Sequence, residues 1–268
     1  MVKISRRKFL VALGAAVSIP LIDSLIVEPA LLIAKAELKL RLNIKGDMLK
    51  IVQLSDLHFG SSNPLLYPTV KSAVESLKPN IIAITGDIVS KAEALDEAIE
   101  FIGELGKIAP IFIVWGNWDH WSLGSKITEF KEALKSLGEI KVLENENTVV
   151  ENGVSIVGVD DPYTGRDNLG LALKGSTNVR ILLAHSPQII DKAVNNADLV
   201  LTGHTHGGQI VLPLTGPIFV PLPAKYRKYV SGTFKIENTV MYVSKGLGTS
   251  ILPIRFNCPP EILLAEIY

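Results

Sequence analysis

The chain has little of what a disulfide-built or nucleic-acid-binding protein needs. Among its 268 residues there is one cysteine, Cys258, so no intrachain disulfide can form and the fold must depend on its core and on bound ligands. Lys plus Arg and Asp plus Glu both total 27, which gives a formal net charge of zero. Because nucleic-acid-binding domains usually carry a basic excess, we expect no nucleic-acid partner, and the zero net charge opposes a nuclease.

Composition and length are those of an ordinary globular protein. Apolar residues make up 47% of the chain and charged residues 20%, which is typical of a packed core rather than of disorder. The length fits one large domain or two small ones, and no internal repeat is visible. We predict a single domain over residues 30–268, preceded by a separate N-terminal segment over residues 1–29.

The N-terminal segment has the pattern of an export signal. Four basic residues between positions 3 and 8 precede an apolar stretch over residues 9–22. Residues 5–10 (SRRKFL) resemble the twin-arginine signal, which addresses folded proteins to a dedicated translocase. The alternative is a chance arginine pair on a buried helix. We therefore expect the twin-arginine translocase as a partner and a location outside the cytoplasmic membrane.

The sequence contains two conflicting signals about cleavage of this segment. Ala34-Lys35-Ala36 satisfies a small-x-small cleavage pattern, but residues 32–44 alternate apolar and polar side chains as a half-buried strand does. Cutting after Ala36 would remove part of that strand. We expect cleavage before about residue 30, or no cleavage and an N-terminal anchor. The 19 residues from Phe9 to Val27 are marginal for spanning a bilayer.

The periodicity predicts an α/β fold, with strands and helices alternating through about residue 202. The predicted helices cover residues 64–78, 92–105 and 127–137. Gly46-Asp47 predicts a hairpin turn between the first strand and a strand at 49–54. An antiparallel addition is expected between residues 142 and 159. Three late segments predict the completion of a second sheet, at residues 230–237, 240–244 and 262–267.

Five apolar runs that read as strands each lead into residues that commonly bind metals. In chain order the motifs are Asp56-Leu57-His58, Gly86-Asp87, Gly116-Asn117-Trp118-Asp119-His120, His185 and Gly203-His204-Thr205-His206. A single Asp-x-His or Gly-Asp is more often structural. Five such motifs in order, each at a strand end, predict one shared site, because strand ends are where α/β sheets bind ligands.

This ordered set of motifs resembles the calcineurin-like metallophosphoesterases, from about Leu49 to the C-terminus. Four further segments resemble the exported YkuE-like branch of that family: Glu28-Pro29, Gly203–Gln209, Gly246-Leu247-Gly248-Thr249 and Pro253-Ile254-Arg255-Phe256. The resemblance implies two central mixed β-sheets flanked by helices, a four-layer sandwich. It also implies that residues 30–268 are a catalytic domain.

By the same resemblance, the motifs hold two divalent cations. One set of ligands is Asp56, His58 and His206, the other is Asn117, His185 and His204, and Asp87 bridges the two cations. Mixed nitrogen and oxygen ligands suit Mn, Fe or Zn. Two cations (+4), two aspartates (−2) and a bridging hydroxide (−1) leave a charge of about +1, which favours a phosphate ester. The expected reaction is hydrolysis of a phosphodiester or pyrophosphate by that hydroxide.

One position departs from the family pattern. The residue after the metal-binding asparagine is usually a catalytic histidine oriented by the next aspartate, and here it is Trp118. His120, with Asp119 beside it, is a candidate to replace that acid. One alternative is that His120 is a loop residue and the metals suffice. Another is an exported metal-binding surface module with little or no turnover.

The proline-rich tail carries the hints about the substrate. Residues 210–222 are mainly apolar, and Lys225, Arg227 and Lys228 follow them. Repeated prolines exclude a continuous helix or a central strand, so the segment is predicted to be a loop. Either the loop packs over the second sheet, or it contacts a membrane or a lipid-linked envelope substrate.

Overall fold

The computed structural model of the protein describes Lys8 and residues 23–268. The arginine pair at positions 6 and 7 and most of the predicted signal segment lie outside the described residues. Within the described part, no helix combines the length and the apolar character that crossing a bilayer requires. The segment that enters the domain is a π-helix at Asp23–Val27 followed by a short helix, α1 (Glu28–Leu31).

The first sheet contains six strands and is mixed. Its strands are β1 (Ala34–Leu40), β2 (Leu49–Leu54), β3 (Ile81–Thr85), β4 (Ile111–Val114), β5 (Ile140–Val142) and β14 (Glu261–Ile267). The spatial order is β1-β14-β2-β3-β4-β5. All neighbours are parallel except β14 and β2. The carboxyl ends of β2, β3 and β4 therefore lie at one edge of the sheet.

The second sheet also has six strands and parallel central members. Its strands are β6 (Glu146–Val149), β7 (Val154–Gly158), β8 (Val179–Leu183), β9 (Leu199–Thr202), β12 (Gly232–Ile236) and β13 (Thr239–Val243). They follow the order β12-β13-β9-β8-β7-β6, with antiparallel pairs at both edges. A separate two-stranded hairpin joins β10 (Val211–Leu212) to β11 (Gly216–Pro217).

The two sheets and the helices on their outer faces form four layers, which are joined by three apolar clusters. Inward-facing residues of both sheets, such as Phe112 and Leu199, form one cluster, so the sheets pack face to face. The outer face of the first sheet is covered by α2 (Leu66–Leu77), α3 (Leu95–Gly106) and α5 (Ile127–Ser136). Helices α6 (Leu169–Ala172) and α7 (Ile190–Ala193) cover the outer face of the second. This arrangement confirms the predicted sandwich.

The predicted helices are confirmed within a few residues of their ends, and β6 is the predicted antiparallel addition. Two strand placements were wrong. The turn at Gly46-Asp47 does not join a hairpin, because β14 lies between β1 and β2. The last strand therefore belongs to the first sheet, not the second. The burial pattern explains why β14 lies inside the first sheet and β1 at its edge. Strand β14 is buried on both faces, whereas every second residue of β1 is exposed.

Candidate metal centre

The loops that follow five parallel strands meet at one place between the two sheets. They carry all seven predicted ligands, each of them buried: Asp56 and His58 after β2, Asp87 after β3, Asn117 after β4, His185 after β8, and His204 and His206 after β9. Five of the seven adopt positive φ angles, between 51° and 71°. Such backbone conformations cost about 1–3 kcal/mol each in non-glycine residues and cluster at functional sites.

The first group of ligand atoms belongs to Asp56, His58 and His206. Their candidate donor atoms all lie within 4.8 Å of one another. The Nε2 atom of His206 is 3.3 Å from Oδ1 of Asp56 and 3.0 Å from Nε2 of His58. A cation placed among these atoms would contact one carboxylate and two imidazoles.

The second group consists of Asp87, His185 and His204. The same 4.8 Å limit encloses their donor atoms. The Nε2 atom of His185 is 3.2 Å from Oδ2 of Asp87 and 3.1 Å from Nδ1 of His204. Ligand type and spacing match those of the first group, so the structure contains two adjacent groups of donors that could each hold a metal ion.

Asp87 lies between the two groups. Its Oδ2 atom is 3.2 Å from Nε2 of His185 and 3.6 Å from Nε2 of His58, one histidine from each group. Its Oδ1 atom accepts a hydrogen bond of 2.8 Å from the backbone N–H of Trp118. This bond fixes the carboxylate so that Oδ2 faces both groups.

Asn117 has a buried amide oxygen for which the described residues provide no hydrogen-bond partner. An unsatisfied buried acceptor costs about 1–3 kcal/mol. Asn117 begins helix α4 (Asn117–Leu123), next to the Trp118 amide that holds Asp87. A cation in the second group would satisfy the amide oxygen, and this fits the predicted role of Asn117.

Hydrogen bonds on the far side of the rings orient three of the histidines. His185 donates from Nδ1 to the carbonyl of Thr85 at 2.8 Å, and His204 donates from Nε2 to the carbonyl of Pro221 at 2.9 Å. In both rings the other nitrogen is left with a lone pair that faces the site. The Nδ1 atom of His58 lies 2.6 Å from the hydroxyl oxygen of Ser90.

Electrostatics favours the neutral, metal-binding form for three of the four histidines, whereas the Asp87 carboxylate holds a proton on the fourth, His185, which a cation would have to displace. Burial lowers the pKa of His58 to about 4 and that of His204 to about 3, and it lowers the pKa of His206 well below its usual value. Neutral imidazoles are the metal-binding form. Burial acts the same way on His185, but the Asp87 carboxylate outweighs it and raises the pKa to about 10. Donor set, charge and orientation therefore fit two divalent cations.

Asp119 and His120 lie apart from these donors. The carboxylate of Asp119 accepts the backbone N–H groups of Ile88, Val89 and Gly116 at 2.8 to 2.9 Å, and so ties the loop after β3 to the loop after β4. Burial raises the pKa of Asp119 to about 7. The Nε2 atom of His120 is 2.6 Å from Oδ1 of Asp160. The acid role of His120 stays a prediction.

Trp118 lies where the family pattern has its histidine. The indole meets the ring of His58 edge-on, with centroids 5.9 Å apart. It lines a cavity of about 420 Å³ that opens above the ligands. Aromatic and aliphatic side chains, including Trp121, Tyr163 and Phe219, form most of the walls, and His120 is not among the lining residues. The cavity is thus apolar above a polar floor.

Arg255 and Glu28 belong to segments that resemble the YkuE-like branch in sequence, but the sequence assigned neither residue a role. Arg255 is fully buried, and its guanidinium donates to the carbonyls of Gly248 and three other residues. That loop in turn holds the first metal group, because Gly248 N–H bonds to the Asp56 carbonyl at 2.6 Å. Glu28 supports the same region, accepting the N–H groups of Asn257 and Cys258. An arginine inside an apolar tail was the available signal.

Comparisons with known proteins agree with this geometry. Residues 49–208 match the family model described as calcineurin-like phosphoesterase. The chain is 34% identical over 230 residues to the uncharacterized metallophosphoesterase YkuE of Bacillus subtilis, covering 81% of this chain and 78% of that protein. It is 33% identical over 226 residues to the phosphodiesterase YaeI of Escherichia coli, covering 81% and 82%.

One solved structure agrees in fold. A crystal structure aligns with a TM-score of 0.50 at 14% identity, covering 73% of this chain and 90% of that chain. At this identity the likeness concerns the fold alone. It supports the arrangement of two mixed sheets flanked by helices.

Close packing of the loops predicts that Gly203→Ala will damage the site. A Cβ atom at Gly203 would lie 1.9 Å from the Ser55 hydroxyl and 2.4 Å from Oδ2 of Asp56, which must then move. We expect bound Mn²⁺, measured by elemental analysis after dialysis, to fall well below the wild-type content. Gly170→Ala is the control, because its Cβ would meet nothing closer than 3.8 Å. Equal metal content in both variants would contradict the packing argument.

Proposed function

Because the chain belongs to the calcineurin-like phosphoesterase family, we propose that it hydrolyses phosphodiester or pyrophosphate bonds at a pair of divalent cations. It is a metal-dependent phosphoric ester hydrolase by family. The observation that carries the finer proposal is the position of Asp87, whose Oδ2 atom faces a histidine of each group. A bridging carboxylate is what a two-metal site requires.

The ligand assignment follows the two groups. Asp56, His58 and His206 would hold one cation, His185 and His204 the other, and Asp87 both. The amide oxygen of Asn117, which has no hydrogen-bond partner among the described residues, would complete the second set. When bound, two divalent cations supply a water of lowered pKa and positive charge beside the phosphoryl oxygens. Nitrogen and oxygen donors together favour Mn, Fe or Zn over Ca or Mg.

The protein's own residues bind and orient the ester. The apolar walls of the cavity exclude water from the polar floor and accept an uncharged group of the substrate. A phosphodiester carries an organic group on either side of the reacting phosphorus, and a substituted pyrophosphate carries one beyond its second phosphate. The E. coli relative is named a phosphodiesterase, which supports this choice. We propose a lipid-linked or envelope phosphate ester, since most of the wall is aromatic or aliphatic.

The proposed location rests on the N-terminal sequence. We propose export by the twin-arginine translocase, with residues 5–10 as the signal, and retention near the outer face of the membrane. Glu28, at the end of the predicted segment 1–29, is buried and hydrogen-bonded to the domain, so the described fold includes the end of that segment. Export of an Arg6→Lys, Arg7→Lys double variant at the wild-type level would contradict this proposal.

A metal-binding module without turnover is the alternative that Trp118 favours. The indole occupies the position of the usual catalytic histidine and lines the cavity. Such a module would bind the same two cations and the same class of ligand. Only a measurement of turnover separates the two functions.

Hydrolysis of bis-p-nitrophenyl phosphate in the presence of Mn²⁺ tests the proposed function. We expect metal-stimulated turnover that Asp87→Ala reduces to near background, because removing the bridge frees both cations. Asp47→Ala is the matched control, since Asp47 is exposed and belongs to neither group of ligands. An inactive wild-type protein that nevertheless binds two Mn²⁺ ions per chain would favour the metal-binding module.

Leaving-group dependence tests His120. If His120 protonates the leaving group, His120→Ala should slow an alkyl phosphodiester by about 10²–10⁴-fold and a nitrophenyl ester much less. Metal content should not change, because His120 is not a ligand. A small, uniform loss for both esters would make His120 a structural partner of Asp160. Trp118→His is the companion variant, and a large gain with alkyl esters would show that the natural site lacks an acid.

A further inference from the structure

Two uncharged segments lie side by side at the mouth of the cavity. Residues 209–224 and 246–254 contain no charged residue, although 20% of the chain is charged. They are held together because Gln209 donates from Nε2 to the carbonyl of Leu252 at 2.7 Å and accepts the N–H of Ser250 at 3.0 Å. Their exposed side chains form what we call the apolar rim: Leu212, Leu214, Ile218, Phe219, Ile251 and Leu252.

The apolar rim projects into solvent. Leu214, at the tip of the β10–β11 hairpin, is 98% exposed, and Ile251 is 80% exposed. Ile251 also has a φ angle of +65°, which is strained for a β-branched residue. Single exposed apolar residues need no explanation, but a contiguous group at the entrance of a site marks an interaction surface. The fold therefore presents these side chains outward at a cost in backbone strain.

The rim is continuous with the point where the N-terminal segment enters the domain. The carbonyl of Ser24 accepts the N–H of Arg255, directly after the second uncharged segment. The residues that follow expose four more large apolar side chains, Leu25, Ile26, Leu31 and Leu32. In sequence, residues 9–22 before this point are apolar. The rim and residues 25–32 thus offer apolar surface at one edge of the molecule.

The charges beside the rim suit an anionic lipid surface. Residues 207–236 contain no Asp or Glu, whereas Lys225, Arg227 and Lys228 follow the rim and are exposed. Lys225 pairs with Asp191, so Arg227 and Lys228 provide the net positive charge. Apolar insertion flanked by basic residues is the pattern of proteins that bind at the interface of a bilayer.

We propose that the apolar rim inserts into the surface of a lipid bilayer and turns the mouth of the cavity toward the lipid headgroups. The biological purpose of this docking rests on the proposed function. A lipid-linked phosphate ester would reach the metal centre without leaving the bilayer. The binding itself requires no turnover and is measured without it.

Tryptophan quenching in vesicles tests the proposal on the full chain. The chain has three tryptophans. Trp115 is fully buried, whereas Trp121 is 57% exposed and lines the cavity mouth together with Phe219. With vesicles of phosphatidylglycerol and phosphatidylcholine carrying brominated acyl chains, we expect Trp121 emission to shift to the blue and to be quenched. Trp121→Phe should remove most of the quenching. Vesicle-bound protein with unquenched Trp121 would mean attachment by the N-terminal segment alone and would overturn the proposal.

A Leu212→Glu, Leu214→Glu double variant separates the rim from other surfaces. We expect it to reduce the quenching at least several-fold at equal lipid concentration and to leave hydrolysis of bis-p-nitrophenyl phosphate unchanged, since neither residue lines the cavity. Leu137→Glu is the matched control, an exposed leucine at the end of helix α5. Equal quenching in both variants would overturn the proposal.

Two further outcomes distinguish this proposal from its alternatives and from the proposed function. Rim-dependent dimerisation in solution, without vesicle binding, would replace the bilayer with a second copy of the chain and overturn the proposal. Quenching that depends on the rim in a protein without turnover would support docking while contradicting the proposed function. Turnover without rim-dependent quenching would support the proposed function and overturn the docking proposal.

Discussion

Two carboxylates and four imidazoles are buried within a few ångströms of one another, and burying so many donor atoms is unfavourable unless positive charge compensates them. Nitrogen atoms of neighbouring histidines face each other at 3.0 and 3.1 Å. A proton can relieve such a contact, and His185 is the ring that holds one, because the Asp87 carboxylate raises the pKa of His185. Divalent cations relieve it more completely, because each accepts lone pairs from several donors at once.

Hydrogen bonds and close packing of the surrounding loops keep these donors together although their burial is unfavourable. Asp119 accepts backbone N–H groups from two loops, and Arg255 donates to carbonyls of a third. Gly116 and Gly203 let loops approach so closely that a Cβ atom would meet the carboxylates of Asp87 and Asp56. Rigid support of this kind keeps a metal site in a geometry that its own ligands would not adopt alone.

The sequence was informative where pattern and chemistry are local. The motifs at five strand ends identified the side chains that the structure brings together, because parallel strands end at one edge. The position of β14 could not be read in the same way. Its run from Ile262 to Ala265 shows a buried strand, but pairing with β1 and β2 depends on segments more than 200 residues away. Arg255 and the apolar rim depend likewise on contacts between distant loops.

The central claim is that Asp87 lies between two cations held by the two groups of ligands. Crystals grown with Mn²⁺ test it directly, by anomalous difference maps collected at the manganese absorption edge. We predict two peaks about 3.5–4 Å apart, one beside His58 and one beside His185, with a carboxylate oxygen of Asp87 contacting both. A single peak, or two peaks of which only one contacts Asp87, would contradict the account.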